Sequence, residues 1–107
     1  YAYINSLENQ QADILVNVTP IGMKGGKEEM DLAFPKALID NASVAFDVVA
    51  MPVETPFIRY AQARGKQTIS GAEVIVLQAV EQFELYTHQR PSEELIAEAA
   101  AFARTKF

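Results

Sequence analysis

Two hydrophobic patterns divide this chain. Up to about residue 69, short apolar runs alternate with stretches marked by proline, glycine and polar residues; beyond it, apolar positions recur at helical spacing. Residues 44–50, Val-Ala-Phe-Asp-Val-Val-Ala, form a nearly unbroken apolar run with one acid, Asp47, inside it. Such a run predicts a parallel strand covered on both faces. Residues 12–18 carry the same pattern and are stopped by Pro20, which cannot donate to a ladder and pushes Thr19 toward an extended conformation. Residues 67–69 predict another strand, and the aromatic and β-branched start at 1–4 predicts a short one before the polar break at 5–11.

Helices fill the gaps. Residues 34–39, with Pro35 in the first turn, predict a short helix ended by the Asp40-Asn41 turn signal. Thr55 offers an N-cap hydroxyl and Pro56 takes the first helical position of a helix over 57–64. There Phe57, Ile58 and Ala61 share one face, and Gly65 is placed to cap the end. Ser70 and Glu73 have capping-box spacing and start a helix that runs to about His88, with Val74, Ile75, Leu77, Val80, Phe83 and Tyr86 mostly facing the core. Gly71, Val74 and Gln78 fall on one stripe of it. A buried amide left unpaired costs about 1–3 kcal/mol, so Gln78 on that stripe calls for backbone, water or a ligand as partner. Arg90-Pro91-Ser92 breaks the pattern, and 93–106 predicts a last helix packing through Leu95, Ala99 and Phe102. The order strand, helix, strand, helix, strand predicts an α/β fold, a right-handed parallel βαβαβ unit with 44–50 in the middle and two C-terminal helices.

Composition narrows the chemistry. At 107 residues, half of them apolar, the chain supports one core. A net charge of -5 without a basic block argues against nucleic acid and membrane surfaces as partners. With no cysteine and one histidine, His88, neither a thiolate nor a histidine metal site can be assembled. No run reaches the roughly 18 apolar residues of a membrane helix and no signal-peptide pattern opens the chain, so a cytoplasmic setting is expected. The missing Met before Tyr1 fits a start inside a longer protein.

Ligands of open α/β sheets gather beyond the carboxyl ends of the strands, which directs attention to the loops after residues 18 and 50. In the first, Gly22, Gly25 and Gly26 with Lys24 and Lys27 make a mildly basic loop. It is either a plain surface loop or one whose backbone N–H groups approach a ligand. Glu28, Glu29 and Asp31 read as a solvated loop face rather than a catalytic pair, and a helix-end position accounts for His88 as well as catalysis does. No Ser-His-Asp set, P-loop or G-x-G-x-x-G is present.

Three ordered segments carry a resemblance: Asn17-Val18-Thr19-Pro20-Ile21-Gly22-Met23, residues 47–56 (DVVAMPVETP), and Gly71 to Gln78 followed by Ala79. They resemble the NATPIGM, DLVYNPxxTP and GxxMLxxQA forms of the shikimate dehydrogenase family, especially its shikimate dehydrogenase-like branch. The resemblance implies the C-terminal part of a Rossmann-like nucleotide-binding domain over 1–107. It also implies a reversible, NADP-dependent hydride transfer between a shikimate- or quinate-type cyclic hydroxy acid and its ketone, in aromatic amino acid biosynthesis. Carried over by position, the backbones of Val48 and Gly71 lie against the nicotinamide end, Val74 matches a Met bordering it, and Asn17 and Thr19 match the cofactor-side strand end. Gln78 matches a substrate-binding glutamine. Ala50 stands where the family has a substrate-touching tyrosine, and Met51 replaces the common Asn, which implies weak turnover of shikimate or another substrate. The family's catalytic Lys and Asp, its substrate domain, its glycine-rich pyrophosphate turn and its 2′-phosphate readers lie in a part absent from this chain. No catalytic residue is therefore expected here, and the chain alone is expected to be inactive, with the missing N-terminal part, or a further copy in a homo-oligomer, as partner. The competing expectation is a non-catalytic nucleotide-binding or regulatory domain.

Overall fold

The computed structural model describes residues 1–106, without the side chain of Lys106. Three parallel strands, β1 (Ile14–Asn17), β2 (Val44–Asp47) and β3 (Gln67–Ile69), form one sheet in the order β1-β2-β3. Helix α1 (Lys36–Asn41) joins the first pair and α2 (Pro56–Ala63) the second, followed by α3 (Gly71–Thr87) and α4 (Glu93–Lys106). This is the expected Rossmann-like βαβαβ arrangement with two C-terminal helices. Register places Leu15 beside Ala45 and Asn17 beside Asp47, and Ala45 in turn beside Thr68.

The local signals act as their chemistry dictates. Thr55 caps α2, its hydroxyl accepting from the Ile58 N–H at 3.2 Å, with Pro56 next in the chain. Gly65, at φ +73°, takes the left-handed position after α2. The capping box of α3 is complete: the Glu73 N–H donates to the Ser70 hydroxyl and the Ser70 N–H to the Glu73 carboxylate. Helix α1 starts one residue after Pro35, which serves as its N-cap, and reaches Asn41.

Two expectations fail. Residues 1–4 form no strand and are exposed, although the outer edge of β1 is free. The runs 12–18 and 44–50 are not covered on both faces: β1 alternates exposed and buried, β2 half-buried and buried. Both crossover helices contribute to the same core, where Leu15, Leu38, Ile39, Ala42, Ala45, Phe57 and Ala61 pack together. Phe34 stands edge-on to Phe57 with ring centroids 5.1 Å apart. Ile14 and Val16 therefore point to the other face, which no crossover helix covers, and remain exposed. Helix α3 packs with α4.

Candidate functional site

β1 and β2 stop at the same level, and they stop by the same device. Asn17 and Asp47 are register partners, and each side chain accepts from the backbone N–H two residues on: Thr19 N to Asn17 Oδ1 at 3.0 Å, Val49 N to Asp47 Oδ1 at 2.9 Å. These Asx turns take the chain out of the ladder, which is why β2 ends at Asp47 although the apolar run continues to Ala50. A 3.1 Å bond from Asn17 Nδ2 to Asp47 Oδ1 joins the two turns. Asn17 Nδ2 also donates to the Ile21 carbonyl, and the Thr19 hydroxyl donates to Asn17 Oδ1 at 2.6 Å. The second Asp47 oxygen accepts from the Thr55 hydroxyl at 2.6 Å, so one carboxylate ties together β1, β2 and the start of α2. Asn17, Asp47 and Thr55 are all buried.

The first turn of α3 abuts the end of β2. A Cβ on Gly71 would sit 2.6 Å from the Val49 carbonyl carbon and oxygen and closer still to the Val48 carbonyl oxygen. Only glycine permits this approach of helix to strand end. Beside it, at the carboxyl ends of β1 and β2, Val18, Thr19, Pro20, Met23, Val48 and Val49 line a small, mostly apolar pocket of about 250 Å³. The Lys24 N–H donates to the Met51 carbonyl at 2.9 Å, which fastens the two loops that flank it; the Met51–Pro52 bond is cis.

Of the residues singled out in the sequence, the fold thus brings Asn17, Thr19, Val48 and Gly71 together. Asn17 enters as a strut, since its amide is consumed by internal partners. Val74 is half-buried one turn along α3, Ala50 half-buried in the loop after β2. Gln78 corrects its expectation: it is exposed, so no burial cost demands a partner, and its side chain makes no hydrogen bond among the described residues. Along the rest of α3 only Val80 is buried, whereas Ile75, Leu77, Phe83 and Tyr86 are exposed. On α4 the half-buried positions are Ile96, Ala100 and Ala103 rather than Leu95, Ala99 and Phe102.

The glycine loop keeps its N–H groups for itself. Gly22 N donates to the Glu28 carbonyl, Gly25 N to the Glu29 carboxylate and Gly26 N to the Met23 carbonyl, which leaves none of them for a ligand. Glu29 is accordingly a half-buried loop brace, whereas Glu28 and Asp31 are solvated. His88 closes α3 in the left-handed conformation at φ +57°, its N–H on the Glu84 carbonyl. Among the described residues no group of three or more His, Cys, Asp or Glu is placed to hold a metal, and no helix is long and apolar enough to cross a membrane. The signal missed in the sequence was Asp47, visible as a lone acid but without its partners.

No protein-family model matches the chain. It is 96% identical over its whole length to a shikimate dehydrogenase-like protein of Haemophilus influenzae, 40% of which it covers. It is 39% identical over 90 residues to a shikimate dehydrogenase (NADP(+)) of Archaeoglobus fulgidus, covering 84% of this chain and 33% of that relative. Among solved structures, a shikimate 5-dehydrogenase-like protein superposes with a TM-score of 0.93 at 96% identity, over 97% of this chain and 39% of the other. A Thermus thermophilus shikimate 5-dehydrogenase, solved with NADP(H) and shikimate, gives 0.68 at 29% identity over 85% and 34%. The chain spans only a third to two-fifths of the length of these relatives. Motifs, strand order and relatives agree: the chain belongs to the shikimate dehydrogenase family, in its shikimate dehydrogenase-like branch, and corresponds to its C-terminal portion.

Proposed function

We propose that this chain is the cofactor-side portion of an NADP-dependent dehydrogenase acting on a shikimate- or quinate-type cyclic hydroxy acid. The observation that carries the reading is the apolar pocket at the strand ends, walled in part by Val48 and Val49, whose backbone Gly71 approaches. Its size and lining fit the ring end of a nicotinamide dinucleotide; its lining contains no Lys or Arg to meet the phosphates. Bound there, NADP would supply the hydride acceptor for the substrate carbinol carbon. Val18, Pro20, Val48 and Val49 keep water from that ring face, which strengthens every polar interaction inside. Thr19, pinned to Asn17, fixes the lip of the pocket; Val74, half-buried one turn along α3 from Gly71, is assigned to the nicotinamide side by its match to the family's Met. Gln78, exposed and unspent, offers an amide donor and acceptor to a substrate hydroxyl.

The acid–base groups that move the hydroxyl proton belong, in this reading, to the remainder of the longer protein, so the 107-residue chain alone has no turnover. Ala50 leaves no ring or hydroxyl where the family presents a tyrosine, which supports weak use of shikimate. The same residue favours the second reading, a nucleotide-binding or regulatory domain without catalysis. Titration of the full-length protein with NADP, followed by hydride-transfer assays across shikimate, quinate and related hydroxy acids, separates the two. Saturable binding with turnover of at least one supports the dehydrogenase; binding with turnover of none supports the alternative.

A further inference from the structure

We infer that Asp47 is a positioning residue: its carboxylate holds the 48–54 loop so that the ring wall at Val48 and the substrate-side position Ala50 keep a fixed spacing. The inference deepens the reading of this pocket as a dinucleotide site and rests on it. Asp47 is fully buried and touches neither the pocket nor any surface a ligand could reach. Yet its two oxygens accept from three elements at once: the β1 end through Asn17, the loop itself through the Val49 N–H, and the α2 N-cap through Thr55. Residues 48–54 are thereby clamped at both ends by one group, at Val49 and at Thr55. A charge-assisted O–H···O bond of 2.6 Å is a stiff clamp. Gly71 then transmits that fixed backbone to α3, because its close contact with the Val48 and Val49 carbonyls leaves no slack.

The isosteric change Asp47→Asn alters this clamp without altering its shape. An amide oxygen can replace the oxygen that serves Asn17 and Val49, but the NH₂ then faces the Thr55 oxygen, and the Thr55 hydroxyl hydrogen loses its acceptor. Thr55→Val removes the same bond from the other side and with it the cap on the Ile58 N–H, so faster exchange at Ile58 alone reports the lost cap, whereas faster exchange through 48–54 reports the lost clamp.

The test is residue-resolved amide exchange on the full-length protein, read with NADP affinity well below the melting temperature. In Asp47→Asn and in Thr55→Val, the Val49 amide and the loop 48–54 should exchange about tenfold faster or more, while Ala45 and Phe46 within β2 change less than about twofold. The NADP dissociation constant should rise about fivefold or more. Thr55→Ser, which keeps the hydroxyl, should return both quantities to within about twofold of the parent. Uniform acceleration of β2 and loop together, or an unchanged loop in a folded variant, overturns the inference, because Asp47 then only stabilises. Thr55→Val carries the test alone if Asp47→Asn does not fold. A parent protein that binds no NADP sinks the functional reading, while loop exchange still decides the role of Asp47.

Discussion

An acid inside an apolar run survives only if all of its hydrogen-bonding capacity is used, and Asp47 meets that condition with three donors. Ala50, three residues on, is its opposite: a methyl group that engages nothing polar, half-buried in the loop it shares with Val48. If substrate recognition has been lost there, restoring a phenol restores it. Ala50→Tyr in the full-length protein is expected to raise kcat/KM for shikimate by about tenfold or more, the worth of one hydrogen bond of 1–3 kcal/mol. Steady-state kinetics check this, and no gain counts against the assigned position. Legibility at this scale follows distance along the chain. Thr55 and Ser70 were readable as caps because their partners lie three residues away. Asp47 was visible as an oddity only, since its Asn17 partner lies 30 residues off and the register that joins them is a property of the sheet.

Elements were legible where period and punctuation coincide, as in α2 between Pro56 and Gly65 and in α3 from its capping box. Which face each element buries was less so. An apolar run states that a strand can be covered, not that both covers are present, and β1 has one cover only. Helix α3 is rich in apolar residues on several sides, so its pattern does not single out the face around Val80 that is buried. Its placement depends instead on its first residue. Gly71→Ala drives a methyl into the Val48 and Val49 carbonyls, backbone atoms that cannot rotate away. The expected outcome is a loss of about 2–3 kcal/mol of stability by denaturant titration. In the full-length protein a larger relative loss of NADP affinity should accompany it as α3 is pushed off the strand end. Wild-type stability and affinity in that variant would refute the close approach.

At the scale of the molecule the chain is more open than its size predicts. Its accessible surface is 7674 Å², where a compact monomer of 11.8 kDa exposes about 5,900 Å². Its radius of gyration is 15.7 Å, against about 13 Å for a compact domain of this length. The exposed surface includes the stretch 1–11 with Tyr1 and Tyr3, the outward-facing Ile14 and Val16 of β1 with Val18 just after it, and Leu77, Leu85 and Tyr86 of α3. An exposed apolar sheet face beside an unpaired edge favours association with another surface. The isolated 107-residue chain should therefore sediment as concentration-dependent oligomers, and Ile14→Lys with Val16→Lys should return it toward monomer; a monodisperse parent at high concentration would contradict this. That openness sits beside a rigid knot, the paired turns at Asn17 and Asp47 with Thr55 and Gly71 around them. The knot has an evolutionary corollary. Positions 50 and 78 contribute no side-chain bond to it, so mutation can explore new substrates there without endangering the frame. Substitutions at 50 and 78 should therefore leave the melting temperature of the full-length protein nearly unchanged, whereas substitutions at 17, 47 or 71 should lower it.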